Sequence, residues 1–296
     1  MTQDTATAGR IFDLGYQPYR GPRQGRARAC WAIYSNALRN AFGLGRGNKA
    51  KIIPFGLLFL ALIPAMIALG IATLLGENFS PIRYSSYMDY TSLLLLLFCA
   101  TVAPELLCPD RRNRTLSLYF AHAITRLDYV VMKGGALLTA LLVITLVPEA
   151  ILFLGNTFSA LDGAKYVREN ADVLPRILVA GTLVSVYLAM IALAAAALTS
   201  RRVFAAGGLL ALFFISQGVA IAIWETFETE AARLIMLVSF GEVPFAATSW
   251  VFVVAPGPGS LAARTDLPGA LLFAVCLAYA AAALLIVLWR YLNWEP

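Results

Sequence analysis

Six stretches of this sequence stay apolar for about twenty residues or more, and that repetition constrains the fold more than any other feature. They run 52–75, 88–107, 130–154, 177–198, 203–224 and 268–289. A helix rises 1.5 Å per residue, so about 20 residues cross a hydrocarbon core of about 30 Å. Backbone groups in lipid must pair within their own segment, which predicts an all-α membrane protein with six transmembrane helices. Composition agrees, because 60% of the residues are hydrophobic and 14% charged, whereas a soluble domain has roughly half and a quarter. The formal charge of +6 does not indicate nucleic acid. The basic residues lie between apolar segments rather than on one soluble domain.

Their distribution predicts an orientation. Of 23 lysines and arginines, nine fall in the first 51 residues and five between Pro104 and Lys133, with Arg201 and Arg202 between spans four and five and Arg290 in the tail after span six. The positive-inside rule places that side and both termini in the cytosol. Glu77, Asp89, Glu149, Asp162, Glu169, Asp172, Glu225, Glu228, Glu230, Glu242 and Asp266 then fall outside or near the outer edge, giving an acidic outer surface.

The chain divides into a cytosolic tail with an amphipathic helix, 1–51, and a membrane domain, 52–296. No apolar core follows a basic start, so no secretory signal is expected. From Arg28 to Phe42 the residues Trp31, Tyr34, Leu38, Ala41 and Phe42 recur at helical spacing, with arginines and asparagines on other faces. Trp31, Tyr34, Leu38 and Phe42 suit an interfacial helix at the headgroup level, and a helix packed on protein has the same pattern. Gly43, Gly45 and Gly47 before Lys49 do not make a phosphate-binding loop. Asn48 separates Gly47 from the lysine, Ala50 follows it, and a span begins at once. No other nucleotide site is visible.

One apolar stretch, Leu234 to Val254, is long enough to cross but is interrupted by Gly241, Glu242 and Pro244. A full crossing would bury Glu242 at mid-bilayer, costing roughly 2.5–3.5 kcal/mol. A re-entrant helical hairpin, within the outer region 231–256, is the expected solution, with a seventh crossing or a surface-lying pair as the others. Glu149, Gln217 and Glu242 are candidates for a translocation path, with helix–helix hydrogen bonding the alternative for the first two. Glu105 at the inner end of the second span is expected to anchor there or pair with an arginine.

Cys30, Cys99, Cys108 and Cys276 lie in cytosolic or intramembrane segments on this topology, so no disulfide is expected. His122 is the single histidine, and the cysteines lack ligand spacing, so no metal site and no catalytic set are expected. Between spans two and three, residues 108–129 form a cytosolic elbow. Asp110, Arg111, Arg112, Arg114 and Arg126 surround a short helical run in which Leu116, Tyr119, Phe120 and Ala123 offer a contact face.

Pro104, Glu105, Asp110, Arg111, Thr115, Leu116, Ala123, Thr125, Arg126, Tyr129 and Lys133 resemble the elbow pattern of the type-2 ABC exporter permease family. The opening Gly15 to Arg23, GYQPYRGPR, is similar to that of its actinobacterial members. The chain departs from the pattern at Arg114, where the family usually has Gly, and at Ala123, where it has Pro. The resemblance implies a permease subunit in a bacterial cytoplasmic membrane, paired as a homo- or heterodimer. It also implies two separate ABC ATPase subunits that bind ATP and Mg, with no cofactor in this chain. Asp110, Arg111, Arg112, Leu116, Tyr119, Phe120 and Arg126 would then contact the ATPase, and 28–42 would be a connecting helix on the inner leaflet. A non-transporting membrane scaffold or sensor that binds a cytosolic regulator is the alternative.

Overall fold

A computed structural model describes residues 25–45, 47–75, 83–121, 124–227, 229–257 and 259–293. The GYQPYRGPR opening, Glu77, His122, Ala123 and Glu228 lie outside them. The described residues contain helices and no strand. In order these are α1 (Arg26–Ala41), α2 (Asn48–Leu75), α3 (Tyr84–Arg112), α4 (Leu116–Phe120), α5 (Arg126–Ser159), α6 (Gly163–Glu169) and α7 (Val173–Leu198), then α8 (Arg202–Phe227), α9 (Glu230–Arg233), a 3₁₀ turn (Leu234–Val238), α10 (Val243–Val251), α11 (Leu261–Thr265) and α12 (Gly269–Leu292).

Six of these, α2, α3, α5, α7, α8 and α12, are long and apolar enough to cross a membrane. Each extends the apolar stretch seen in the sequence, because helical pairing continues past the last apolar residue once polar side chains can reach water. The inner helices are α3, α5 and α7, whose buried residues form one continuous core. Alanines make this possible. On α7, Ala189, Ala192, Ala196 and Ala197 are buried and let neighbouring backbones approach closely, while Thr145 of α5 meets Ser185 of α7 at 3.2 Å. The outer helices α2, α8 and α12 leave many large apolar side chains exposed, among them Phe59, Phe214, Ile215 and Leu285.

The α1 helix packs on α5. Its inward residues are Ile33, Ala37 and Ala41, one turn apart, and the Tyr34 hydroxyl meets Thr139 Oγ1 at 2.9 Å. Of the residues expected at the headgroup level, Tyr34, Leu38 and Phe42 are partly buried against the core. Trp31, 58% exposed, points away from the bundle. Gly43 ends α1 with φ +67, and a Cβ there would lie 2.4 Å from the Ala50 carbonyl oxygen, so the turn into α2 requires glycine.

The stretch 234–254 is not one helix. Its 3₁₀ turn ends at Val238, and α10 restarts at Val243 with Pro244 in its first turn, where a proline costs no hydrogen bond. A continuous seventh crossing is therefore absent. The turn between the pieces is held by three bonds. Tyr279 of α12 donates to the Leu237 carbonyl at 2.7 Å, Tyr187 of α7 donates to the Phe240 carbonyl at 2.9 Å, and the Phe240 N–H donates to Ser216 Oγ of α8 at 3.2 Å. The segment then turns back, and its Phe252 carbonyl accepts from Arg176 near the start of α7 at 2.7 Å.

Candidate functional site

The basic end of the bundle is built around the elbow. The α3 helix runs on to Arg112, and Arg114 then adopts φ +55, a left-handed conformation that favours glycine. The short α4 follows, and Thr125 with Asp128 forms a capping box that starts α5. Asp128 also takes two 2.8 Å bonds from Arg26, tying α1 to the first turn of α5.

Inside the elbow, Asp110 accepts from Lys133 at 2.9 Å and from Tyr129 at 2.7 Å, and Lys133 also donates to the Leu106 carbonyl at 2.9 Å. Asp110 thus holds the elbow together rather than presenting a surface. Arg111 donates to the Ala197 and Thr199 carbonyls at the end of α7, and Arg126 donates to the Leu292 carbonyl at the end of α12. Both arginines satisfy carbonyls that a helix end leaves without partners. Arg126 also lies 5.9 Å over the Phe120 ring. Glu105 pairs with Arg202.

The contact face expected from sequence is turned around. Leu116 is 0% exposed and belongs to the core, while Tyr119 and Phe120 are partly buried against Tyr129 at ring separations of 5.5 and 6.2 Å. Outward stand Arg112, Arg114, Ser117 and Leu118, the last 68% exposed. Between this face and α1 lies an apolar hollow of about 650 Å³, lined by Ala32, Ile33, Leu118, Tyr119 and Ile124 among others. Leu118 has no distinguishing sequence signal, because α4 is too short for periodicity to choose a face.

At the opposite end, a polar cavity of about 420 Å³ gathers Asp89, Ser92, Gln217, Glu225, Glu242 and Arg264. Two of the three path candidates, Gln217 and Glu242, share it. Glu242 accepts from the Ala262 N–H at 3.0 Å. Burial pushes its carboxyl above the usual range, opposed by the N–H groups of Ala262 and Leu261 and by Arg264. Asp89, in the second span, joins them from 153 positions away, which only the fold could reveal. Glu149 does not line this cavity. It is wholly buried in α5 with no hydrogen-bond partner among the described residues, so it neither lines this path nor bonds another helix.

A second cavity, of about 690 Å³, is lined by Arg83, Tyr84, Asn156, Lys165, Tyr166 and Arg176, with others. Tyr84 meets Tyr166 at 3.0 Å and accepts from Asn156 at 2.9 Å across its floor. Among the described residues no group of three or more histidine, cysteine or acidic side chains is placed to hold a metal ion. No family model matches the chain, and no curated protein matches it.

Proposed function

We propose that this chain is the membrane-spanning permease subunit of an ATP-driven exporter, moving its substrate with energy from ATP hydrolysed on separate subunits. The observation that carries the reading is the elbow. Its inner side is locked to α3, α5, α7 and α12 by an ion pair, by aromatic packing and by arginines on helix ends. Its outer side presents Arg112, Arg114 and Leu118 beside an apolar hollow. A compact helix fixed to several spans transmits a displacement, whereas a loose loop absorbs it. The resemblance of residues 104–133 to type-2 permeases supports the same role.

On this reading the basic end faces the cytosol of a bacterium, and the polar cavity around Gln217 and Glu242 faces outward. The broken stretch is re-entrant. Ser216 lies about 16 Å of helix from the end of α8, and Tyr279 about 15 Å from the start of α12, at 1.5 Å per residue. The turn they hold therefore reaches the middle of a core about 30 Å thick. Irregular backbone at that depth is tolerated where protein or a cavity surrounds it, and Ser216, Tyr187 and Tyr279 supply its bonds.

The test is site-specific photo-crosslinking in native membranes. A crosslinker at Leu118 should capture an ATP-hydrolysing subunit, and one at Leu116 should capture none. With the crosslinker moved to the outward Ser117, Leu118→Asp should weaken capture and abolish substrate-stimulated hydrolysis together, with the membrane subunit still inserted. Normal hydrolysis and transport in Leu118→Asp would remove the elbow as the coupling element.

A further inference from the structure

Glu149 follows Pro148 in α5 and is shut away from solvent. Neither of its oxygens is hydrogen-bonded among the described residues. Other carboxyls of the bundle are engaged, Glu105 by Arg202, Asp110 by Lys133 and Tyr129, and Glu242 by a backbone N–H.

The packing around Glu149 supplies no counter-charge. Three positions beyond it on α5, Leu152 packs with Ala65 and Ala68 of α2, and three positions before it Leu146 packs with Ile177 and Ala180 of α7. On the α3 side stand Tyr87 and Tyr84, packed in the cluster that holds Leu152, three positions beyond Glu149. Both hydroxyls are committed elsewhere, Tyr87 to the Ala61 carbonyl and Tyr84 to Tyr166 and Asn156. One turn deeper on α5, Thr145 is bonded to Ser185. The carboxyl takes part in no ion pair with a lysine or arginine among the described residues. Removing an unpaired carboxylate from water costs more than placing a proton on it.

We propose that Glu149 is a proton-binding site inside the membrane, loaded in the packing described here and reached from the second cavity past Tyr84. Tyr84 lines that cavity, and its ring packs 6.3 Å from that of Phe153, one turn beyond Glu149 on α5. Asn156 stands two turns further out on the same face of α5 and holds Tyr84 in place. The Tyr84, Asn156 and Tyr166 network therefore separates the carboxyl from water. The inference does not depend on the export reading, since it concerns the charge state of one carboxyl in the bundle.

The full chain in lipid nanodiscs at neutral pH would be treated with dicyclohexylcarbodiimide. The acid O–H adds across one C=N bond, the carboxyl oxygen bonding to the central carbon and the proton going to nitrogen. The acyl group then shifts from oxygen to nitrogen, giving a stable N-acylurea. Nothing leaves, so the peptide gains the mass of one carbodiimide, and a carboxylate brings no proton to the reaction. The adduct is expected on the Glu149 peptide and absent from Glu149→Gln. The infrared difference between these proteins should contain the C=O band of a protonated carboxyl, whose shift in D₂O is slow in the wild type and at least tenfold faster in Tyr84→Ala. No adduct and no band at neutral pH would overturn the site, and equal exchange in Tyr84→Ala would overturn the route. If Glu149→Gln does not fold, mapping of the wild-type adduct decides alone.

Discussion

Replacing Lys133 with Met tests whether the elbow is held by charge. Lys133 has 6% of its side chain exposed and Asp110 17%, and they meet at 2.9 Å. The substitution keeps the apolar stem and removes the ammonium, so Asp110 retains the hydroxyls of Tyr129 and Thr115 but no cation. Removing one member of a buried pair costs about 3–5 kcal/mol. The partial exposure of Asp110 and its remaining Tyr129 bond put the expected loss at the lower end, about 3 kcal/mol. At about 2–4 °C per kcal/mol, the thermal midpoint should fall by roughly 6–12 °C. Asp110→Asn alone strands the ammonium and should cost a comparable amount. The double variant Asp110→Asn with Lys133→Met removes both charges and should lie within about 1 kcal/mol of wild type, as replaced buried pairs commonly do. The assay is thermal unfolding of detergent-solubilised protein followed by fluorescence-detected size exclusion. A double variant that loses the sum of the two single losses would refute the pairing.

Arg114→Gly should raise the midpoint by the equivalent of about 1 kcal/mol, because the left-handed conformation at φ +55 no longer strains a side chain. Arg114→Val should lower it. Gly269→Ala should destabilise by about 1–3 kcal/mol by overpacking, since its Cβ would lie 2.4 Å from Trp250 Cβ, Cγ and Cδ1. For Glu242, burial disfavours the charged form, so the folded state holds the proton more tightly than the unfolded state. Stability should therefore fall as pH rises from the ordinary glutamate range through the raised folded value, and Glu242→Gln should flatten that slope in a plot of midpoint against pH.

The six helices long and apolar enough to cross a membrane were legible because length and apolarity are properties of contiguous residues. The interruption of 234–254 was legible for the same reason, since Gly241, Glu242 and Pro244 are adjacent. Facing direction was less so. In α1 the apolar stripe suited either lipid or protein, and the small residues Ala37 and Ala41, which allow α5 to approach, are quiet in sequence. In α4 one turn of helix cannot distinguish Leu116 from Leu118. The bonds that fix the elbow join residues far apart, and nothing local marks Asp110 as the partner of Lys133. The same distance hid the meeting of Asp89 with Glu242 in one cavity.

The arginines on helix ends tie the elbow to the order in which the chain is made. Arg111 donates to carbonyls more than eighty positions later, and the acceptor of Arg126 lies 166 positions downstream. While the ribosome is still producing the later helices, both guanidiniums lack these acceptors. The elbow can close over α7 only after that helix has arrived, and over α12 only when synthesis has passed Leu292. A chain cut short before that point keeps the residues of its elbow but loses the acceptor for Arg126, so this one region reports whether α12 has been made and has docked.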